Sequence, residues 1–221
     1  MQYGSKNKIL MKKGAEASIF LEHWQERKVL MKRRIVKKYR FPELDKKIRT
    51  RRTIKESQLI HDAKKAGVPT PTILMVDLNN SNIAMEFVEG LQIKQVLNNL
   101  TPDERQILSK KIGELIGLLH SNSIIHGDLT TSNMILTPSD DIVFVDFGLG
   151  EKTTELEAKG IDLHLMKRAL QSTHFIHAED CFQAVLEGYS RQVGGKITKE
   201  VSEKIDEIEM RGRYISERKH D

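Results

Sequence analysis

Ile124-Ile125-His126-Gly127-Asp128-Leu129-Thr130-Thr131-Ser132-Asn133-Met134-Ile135-Leu136 runs through Thr137-Pro138-Ser139-Asp140-Asp141 into Ile142-Val143-Phe144-Val145-Asp146-Phe147-Gly148-Leu149-Gly150. Two short apolar runs flank a polar turn cluster, which is the pattern of a β-hairpin with a loop on each outer side. One loop carries His126-Gly127-Asp128, with Asn133 five residues after Asp128, and the other carries Asp146-Phe147-Gly148. Phosphoryl transfer needs a carboxylate to receive or orient the attacking hydroxyl or water. It also needs oxygen ligands for a Mg²⁺ that bridges the phosphates. Asp128 suits the first task, and Asn133 and Asp146 the second. A hairpin joining the two loops brings both ligands to one metal.

This is the protein-kinase order H-x-D-x-x-x-x-N followed by D-F-G. D-F-G alone is a weak signal, but all three pieces around a strand–turn–strand are a strong one. The alternative is an acidic loop and a hairpin without chemistry, and the agreement of motif with context weighs against it.

Size and charge set the bounds. With 221 residues, 38% hydrophobic and 30% charged, the chain has room for one domain or two small lobes with a real core, and reads as soluble. No apolar run reaches membrane length, and Met1-Gln2-Tyr3-Gly4-Ser5-Lys6-Asn7-Lys8 lacks a signal-peptide core. Cys181, the single cysteine, excludes an intramolecular disulfide and a cysteine-based zinc site, and its apolar surroundings predict a buried thiol. A cytoplasmic location follows. The net charge is +5, with basic residues crowded into Lys28–Arg52 and Arg211–His220. Nucleic acid is one reading of that crowding, and a solvated face with a basic tail is the other.

Working towards the N-terminus, Asn82–Val88 and Ile73–Asp77 read as two strands joined by the turn Leu78–Ser81, with a hinge at Glu89-Gly90. In chain order this is where a kinase presents main-chain groups to adenine. Those groups are Glu86 and Val88, with Met85 behind the base. A helix is expected from about Asp45 to Ala66, after a break at Phe41–Leu44. Gly67 and Pro69 close it, and Ile48, Ile54, Leu59, Ile60 and Ala63 are its apolar positions. Lys32 directly follows the apolar triplet Val29-Leu30-Met31, as in V-A-I-K, and is preferred to Lys37 and Lys38 as the phosphate-binding lysine. Glu56 is its candidate partner, although a surface pair with Arg52 at i, i−4 would also account for it. Ile9–Phe20 reads as a hairpin. In it Gly14 takes the middle and Ala17 the third place of a glycine-rich phosphate loop, and Glu16 adds negative charge.

Towards the C-terminus, Ile93–Leu100 is a short helix. Thr101 then caps a longer one with Pro102 at its first position, running to about Ser121. Leu108, Ile112, Leu115, Ile116 and Leu119 form its core face, and His120 at its end reads as structural. After Gly150 there is no A-P-E and no room for a long activation segment. Asp162 opens a helix to about Thr173 and either caps it or braces the catalytic loop. Helices at about Ala178–Val193 and Lys199–Tyr214 precede a tail from Arg211.

Taken together, the sequence resembles the small atypical kinase/ATPase subunit of the KEOPS complex, the family related to the eukaryotic p53-regulating kinase. The resemblance rests on Gly14–Ala17, Lys37–Asp45, Arg51–Glu56, His126–Asn133, Val145–Gly150, Ile161–His174 and Arg211–Arg213, nearly the whole chain. It implies an α+β, two-lobed protein-kinase-like fold. A small N-lobe (about residues 1–88) would hold an antiparallel sheet and one helix. A reduced, mainly helical C-lobe (89–210) would follow, with no activation segment, and then a basic tail (211–221). It implies ATP and Mg²⁺ as cofactors, and serine/threonine kinase and ATPase activity. The partners implied are the threonylcarbamoyl-transferase subunit and other KEOPS subunits, in threonylcarbamoyl-adenosine modification of tRNA. By position, Lys32 contacts phosphate and Glu56 holds it, Asp128 is the base, and Asn133 and Asp146 hold the metal. Arg211, Arg213, Arg218 and Lys219 are the tRNA-facing residues, although Glu217 and Asp221 interrupt that basic run. A stand-alone RIO-like kinase and a non-catalytic nucleotide-binding scaffold are the rival readings.

Overall fold

The computed structural model describes residues 8–217, the last six of them by backbone alone. The chain opens with β1 (Ile9–Lys13), β2 (Ala17–Trp24) and β3 (Arg27–Arg34). The helix α1 (Pro42–Lys65), β4 (Ile73–Asp77) and β5 (Asn82–Glu86) follow. The five strands form one antiparallel sheet in the order β1-β2-β3-β5-β4. Its buried face carries Val29, Met31 and Ala84, with Phe20, Trp24 and Met75 packed against them.

Two features of α1 differ from the sequence reading. It begins at Pro42 rather than near Asp45, because a proline needs no intrahelical partner at the first position and therefore starts a helix instead of breaking one. Ile54, expected in the core, is exposed, while Asp45, Thr53 and Glu56 are buried. The inner face of the helix's first half is therefore polar, and only Leu59, Ile60 and Ala63 join the main hydrophobic core. α1 thus meets the sheet through ion pairs and the rest of the molecule through apolar packing. β5 ends at Glu86, two residues short of the expected Val88.

The C-terminal part begins with β6 (Leu91–Gln92), α2 (Ile93–Val96) and a 3₁₀ turn at Leu97–Asn99, where one short helix was expected. α3 (Pro102–Ser121) starts as the sequence predicts. The Thr101 side chain accepts from the Glu104 amide while the Glu104 carboxylate accepts from the Thr101 amide. β7 (Ile124–Ile125), β8 (Met134–Leu136), β9 (Ile142–Phe144) and β10 (Glu151–Lys152) follow. The expected hairpin is present, with Met134 opposite Phe144 and Leu136 opposite Ile142. β6 extends it on one side, and β10 pairs with β7. The remaining helices are α4 (Leu156–Thr173), α5 (Ala178–Val193) and α6 (Gly195–Glu217). α4 starts well before Asp162, which therefore lies inside the helix and does not cap it. α6 starts four residues before the expected Lys199 and continues through Arg211, as the helix expected to about Tyr214 requires, so the named tail begins inside it.

The two parts meet on the hairpin. Pro69, just after α1, accepts a hydrogen bond from the Phe144 amide at 2.9 Å. Leu129, Met134, Ile142, Phe144 and Phe147 join α1, α3, α4 and α5 in one continuous core. The architecture is the two-lobed, kinase-like α+β fold that the motifs predict, with an antiparallel sheet and helix on one side and helices on the other.

Candidate active site

The β3 ladder sets Lys32 opposite Ile19 of β2 and Ile83 of β5. Its stem is buried, and its ammonium lies 2.5 Å from Glu56 Oε1 and 2.7 Å from Asp146 Oδ1. Burial alone would lower the Lys32 pKa, but the two carboxylates outweigh it and hold the ammonium above its ordinary 10.5. Burial would likewise raise Asp146. The Lys32 charge and hydrogen bond reverse this and keep the carboxylate below its usual 3.8. Glu56 is therefore partnered across 24 residues with Lys32 rather than with Arg52. Its second oxygen accepts from Arg34 at 2.6 Å. Arg52 instead binds Glu16 of the β1–β2 turn, also at 2.6 Å.

Asp128 and Asn133 face each other in the loop between β7 and β8. The Asn133 amide nitrogen donates to the Asp128 carboxylate at 2.8 Å and to the Asp128 carbonyl at 3.0 Å. The loop is fixed from below by one buried carboxylate. Asp162 accepts from the backbone amides of His126 and Gly127, both at 2.8 Å. It also meets His120 Nε2 at 3.3 Å, and His120 Nδ1 lies 3.1 Å from the Tyr189 hydroxyl. Of the two roles left open for Asp162, bracing the loop is the one observed. His126 Nε2 lies 3.1 Å from the Val145 carbonyl, and Nδ1 accepts from the Asp128 amide at 3.3 Å. This is the bonding of a neutral ring, and burial lowers the His126 pKa accordingly. Gly127 has φ +78°, and a Cβ there would stand 2.4 Å from the Leu149 carbonyl. The His126 loop and the Asp146 loop are thus packed backbone to backbone.

A cavity of about 360 Å³ opens between these groups. Lys12, Gly14, Glu16 and Ala17 of the hairpin line one side, Lys32, Arg34 and Arg52 the back, and Asp128, Asp146 and Gly148 the other side. The structure thus gathers Gly14, Glu16, Ala17, Lys32, Asp128 and Asp146 around one space. Glu56 stands behind Lys32, and Asn133 behind Asp128. Met85, Glu86 and Val88 do not line it. Met85 is buried on β5, and the Glu86 side chain turns outwards to accept from the Thr72 amide at 3.0 Å. The Glu86 amide donates to the Thr72 carbonyl at 2.9 Å, so it is already engaged.

Arg211 lies on α6, 3.0 Å from Glu157 of α4. Arg213 is described by its helical backbone only, and Arg218 and Lys219 lie outside the described residues. Sequence reading passed over Arg34 and Arg52 as cavity residues. Arg34 is two residues along from Lys32 on the same strand, so it shares its face, but a dense basic run conceals that alternation.

The donor set suits a magnesium-bound triphosphate. Asp146, Asp128 and Asn133 offer hard oxygen ligands, and Lys32, Arg34, Arg52 and Lys12 offer positive charge on the facing side. Among the described residues no group of three His, Cys, Asp or Glu side chains is placed to cage a metal. No helix of the described residues is long and apolar enough to cross a membrane.

Comparison with known proteins agrees with the kinase-like fold. The RIO domain model matches residues 19–159. The protein named KEOPS complex subunit Bud32 from Pyrococcus abyssi is 46% identical over 211 residues, covering 93% of this chain and 96% of that protein. The EKC/KEOPS complex subunit bud32 of Dictyostelium discoideum is 38% identical over 211 residues, covering 93% of this chain and 82% of that one. A probable bifunctional tRNA threonylcarbamoyladenosine biosynthesis protein of Methanothermobacter thermautotrophicus is 45% identical over 205 residues. The match covers 93% of this chain but 36% of that protein, so the chain spans about a third of its length. With the RIO model matching well over half of the residues and the Bud32 match covering 93% of the chain at 46% identity, the chain belongs to the RIO-domain family, in its Bud32 group.

Proposed function

We propose that this chain is an ATP-dependent phosphotransferase with ATPase activity, acting as the Bud32-type subunit of a KEOPS assembly in the threonylcarbamoyl-adenosine modification of tRNA. The observation that carries the chemistry is the cavity itself. A lysine held between two carboxylates faces an aspartate oriented by an asparagine, under a hairpin turn containing Gly14. The names of the relatives support the assembly and the modification, and the transferase subunit is the partner this reading requires.

Bound magnesium and ATP supply a polarised triphosphate, and the chain's own residues do the rest. Lys32 and the neighbouring Arg34 and Arg52 face the phosphates, with Glu16 and Ala17 in the roof. Glu56 holds the ammonium so that it does not have to be ordered during turnover. Asp146 and the Asn133 amide oxygen would hold the cation. Asp128 orients the attacking water or hydroxyl and takes its proton. At the adenine end, main-chain groups of Glu86 and Val88 would meet the base, with Met85 behind it. Arg211, Arg213, Arg218 and Lys219 add positive charge towards tRNA. Placement is the main catalytic term here, and well-oriented sites gain up to ~7–11 kcal/mol from it.

The test is ATP turnover with and without the transferase subunit, for the wild type and Asp128→Ala. Slow turnover alone, stimulation by the partner and a loss of about 100-fold or more in the variant are expected. Equal turnover in Asp128→Ala would remove Asp128 from its role.

A further inference from the structure

The basic run at the start of α1 divides into two populations in the folded chain. Arg49 and Arg52 are used internally, bonded to Asp45 and Glu16 at 2.6 Å. Lys46, Lys47, Arg51 and Lys55 are all exposed, and none has an ion-pair partner among the described residues. They line one shallow groove along the outer face of the helix, away from the nucleotide cavity, with Glu43 the single carboxylate in it. Lys47, Arg51 and Lys55 follow one another at four-residue steps. At ~1.5 Å per residue the row is about 12 Å long, a length over which one strand of a duplex carries three or four phosphates.

The segment leading into this face carries aromatic rings. Tyr39 is 78% exposed and Phe41 81% exposed. Burying one such ring is worth ~1.5–3 kcal/mol, so leaving two in water beside a row of cations marks a contact surface. Neither ring belongs to a loose loop. The Arg40 guanidinium lies 5.3 Å from the Tyr39 ring centre and 3.8 Å from buried Asp45. Asp45 also accepts from the Lys37 amide, and the Phe41 carbonyl accepts from the Asp45 amide. Buried Asp45, through its carboxylate and its backbone amide, therefore anchors the segment that carries both rings at the head of the cationic row.

We propose that residues 38–55 form an RNA-binding surface, with Lys47, Arg51 and Lys55 on backbone phosphates and Tyr39 and Phe41 stacked on unpaired bases. An acidic protein would match the cations but would leave the flat aromatic faces without a counterpart. Nucleic acid with unpaired bases offers phosphates and π-faces together. The surface is separate from the nucleotide cavity and its assay contains no ATP, so its outcome is independent of turnover.

The experiment measures binding of the full chain to a labelled RNA hairpin with an unpaired loop, a fully paired RNA and polyglutamate, across a salt series. Lys47→Ala/Arg51→Ala/Lys55→Ala is expected to weaken hairpin binding at least tenfold and to lower the slope of log affinity against log salt by about 2. Lys47→Arg/Lys55→Arg should keep both. Tyr39→Ala/Phe41→Ala is expected to cost about tenfold or more for each stacked base on the looped RNA, while paired RNA is unaffected. All these positions are exposed, so thermal unfolding of the variants should match the wild type and controls for folding. Unchanged hairpin affinity and slope in the triple variant overturn the proposal. Tighter binding of polyglutamate than of RNA also overturns it, in favour of an acidic protein partner. An equal loss on looped and paired RNA in the aromatic variant overturns the stacking.

Discussion

Glu56 is a buried carboxylate shared by two buried cations. One buried carboxylate balances Lys32 and Arg34, both also buried, while Asp146 shares Lys32. Amidating it leaves two cations out of water with one remaining counter-charge. Removing one partner from such a group costs ~3–5 kcal/mol, because the charges left behind have lost their hydration without compensation. Glu56→Gln is therefore expected to destabilise the fold by about that amount, read as a lower urea midpoint with an unchanged slope. Loss of nucleotide affinity without loss of stability would mean that Glu56 matters only to the ligand. Lys32 and Glu56 were legible in the sequence, since motif order pointed to both although 24 residues separate them. Arg34 was not, because its role depends on which face of β3 is turned inwards, and a run of basic residues erases the alternation that would reveal it.

At the scale of elements, α3 and α5 pack backbone against backbone. A Cβ added at Gly188 would stand 1.9 Å from the Lys110 carbonyl, and one at Gly113 1.9 Å from the Val185 carbonyl. The two backbones touch where a glycine of one helix faces a main-chain carbonyl of the other. Gly188→Ala or Gly113→Ala must push the helices apart, at ~1–3 kcal/mol or more, and should lower Tm by several degrees. A Tm within one degree of the wild type would contradict this contact. α3 itself was readable, since Leu108, Ile112, Leu115, Ile116 and Leu119 repeat at helical spacing and Thr101 with Glu104 announces its start. Its glycines gave no warning, because what a glycine permits lies on the neighbouring helix. α1 was harder still. Its inner face recruits Asp45, Thr53 and Glu56, so apolar periodicity misplaced Ile54. Asp162 belongs to the same class, being a polar residue inside a helix whose meaning comes from the loop it reaches.

For the whole molecule, acid sensitivity should follow from buried neutral histidines. Burial lowers His126, His164 and His174 from the ordinary 6.5. A base whose folded pKa lies below its unfolded value binds more protons when unfolded. Its contribution to stability is complete above about pH 6.5 and is lost as pH falls towards the folded value. Asp146 is depressed below 3.8 and adds a second loss only in stronger acid, while Lys32, raised above 10.5, contributes nothing to the change in this range. Tm is therefore expected to be level from about pH 9 to 7 and to fall from about pH 6.5 downwards, as followed by thermal unfolding. A level Tm down to about pH 5 would mean that these rings are charged when folded.

The two-residue ribbon of β7 and β10 also has a consequence for control. It ties the strand leading into His126 to the stretch just beyond Gly150, and α4 begins almost at once at Leu156. No slack remains there for a tether that phosphorylation might order or release. If the proposed activity holds, control at this point of the chain is expected to come from a docked neighbour that opens or closes the Lys32–Asp146 link, whose 2.7 Å contact spans the two lobes.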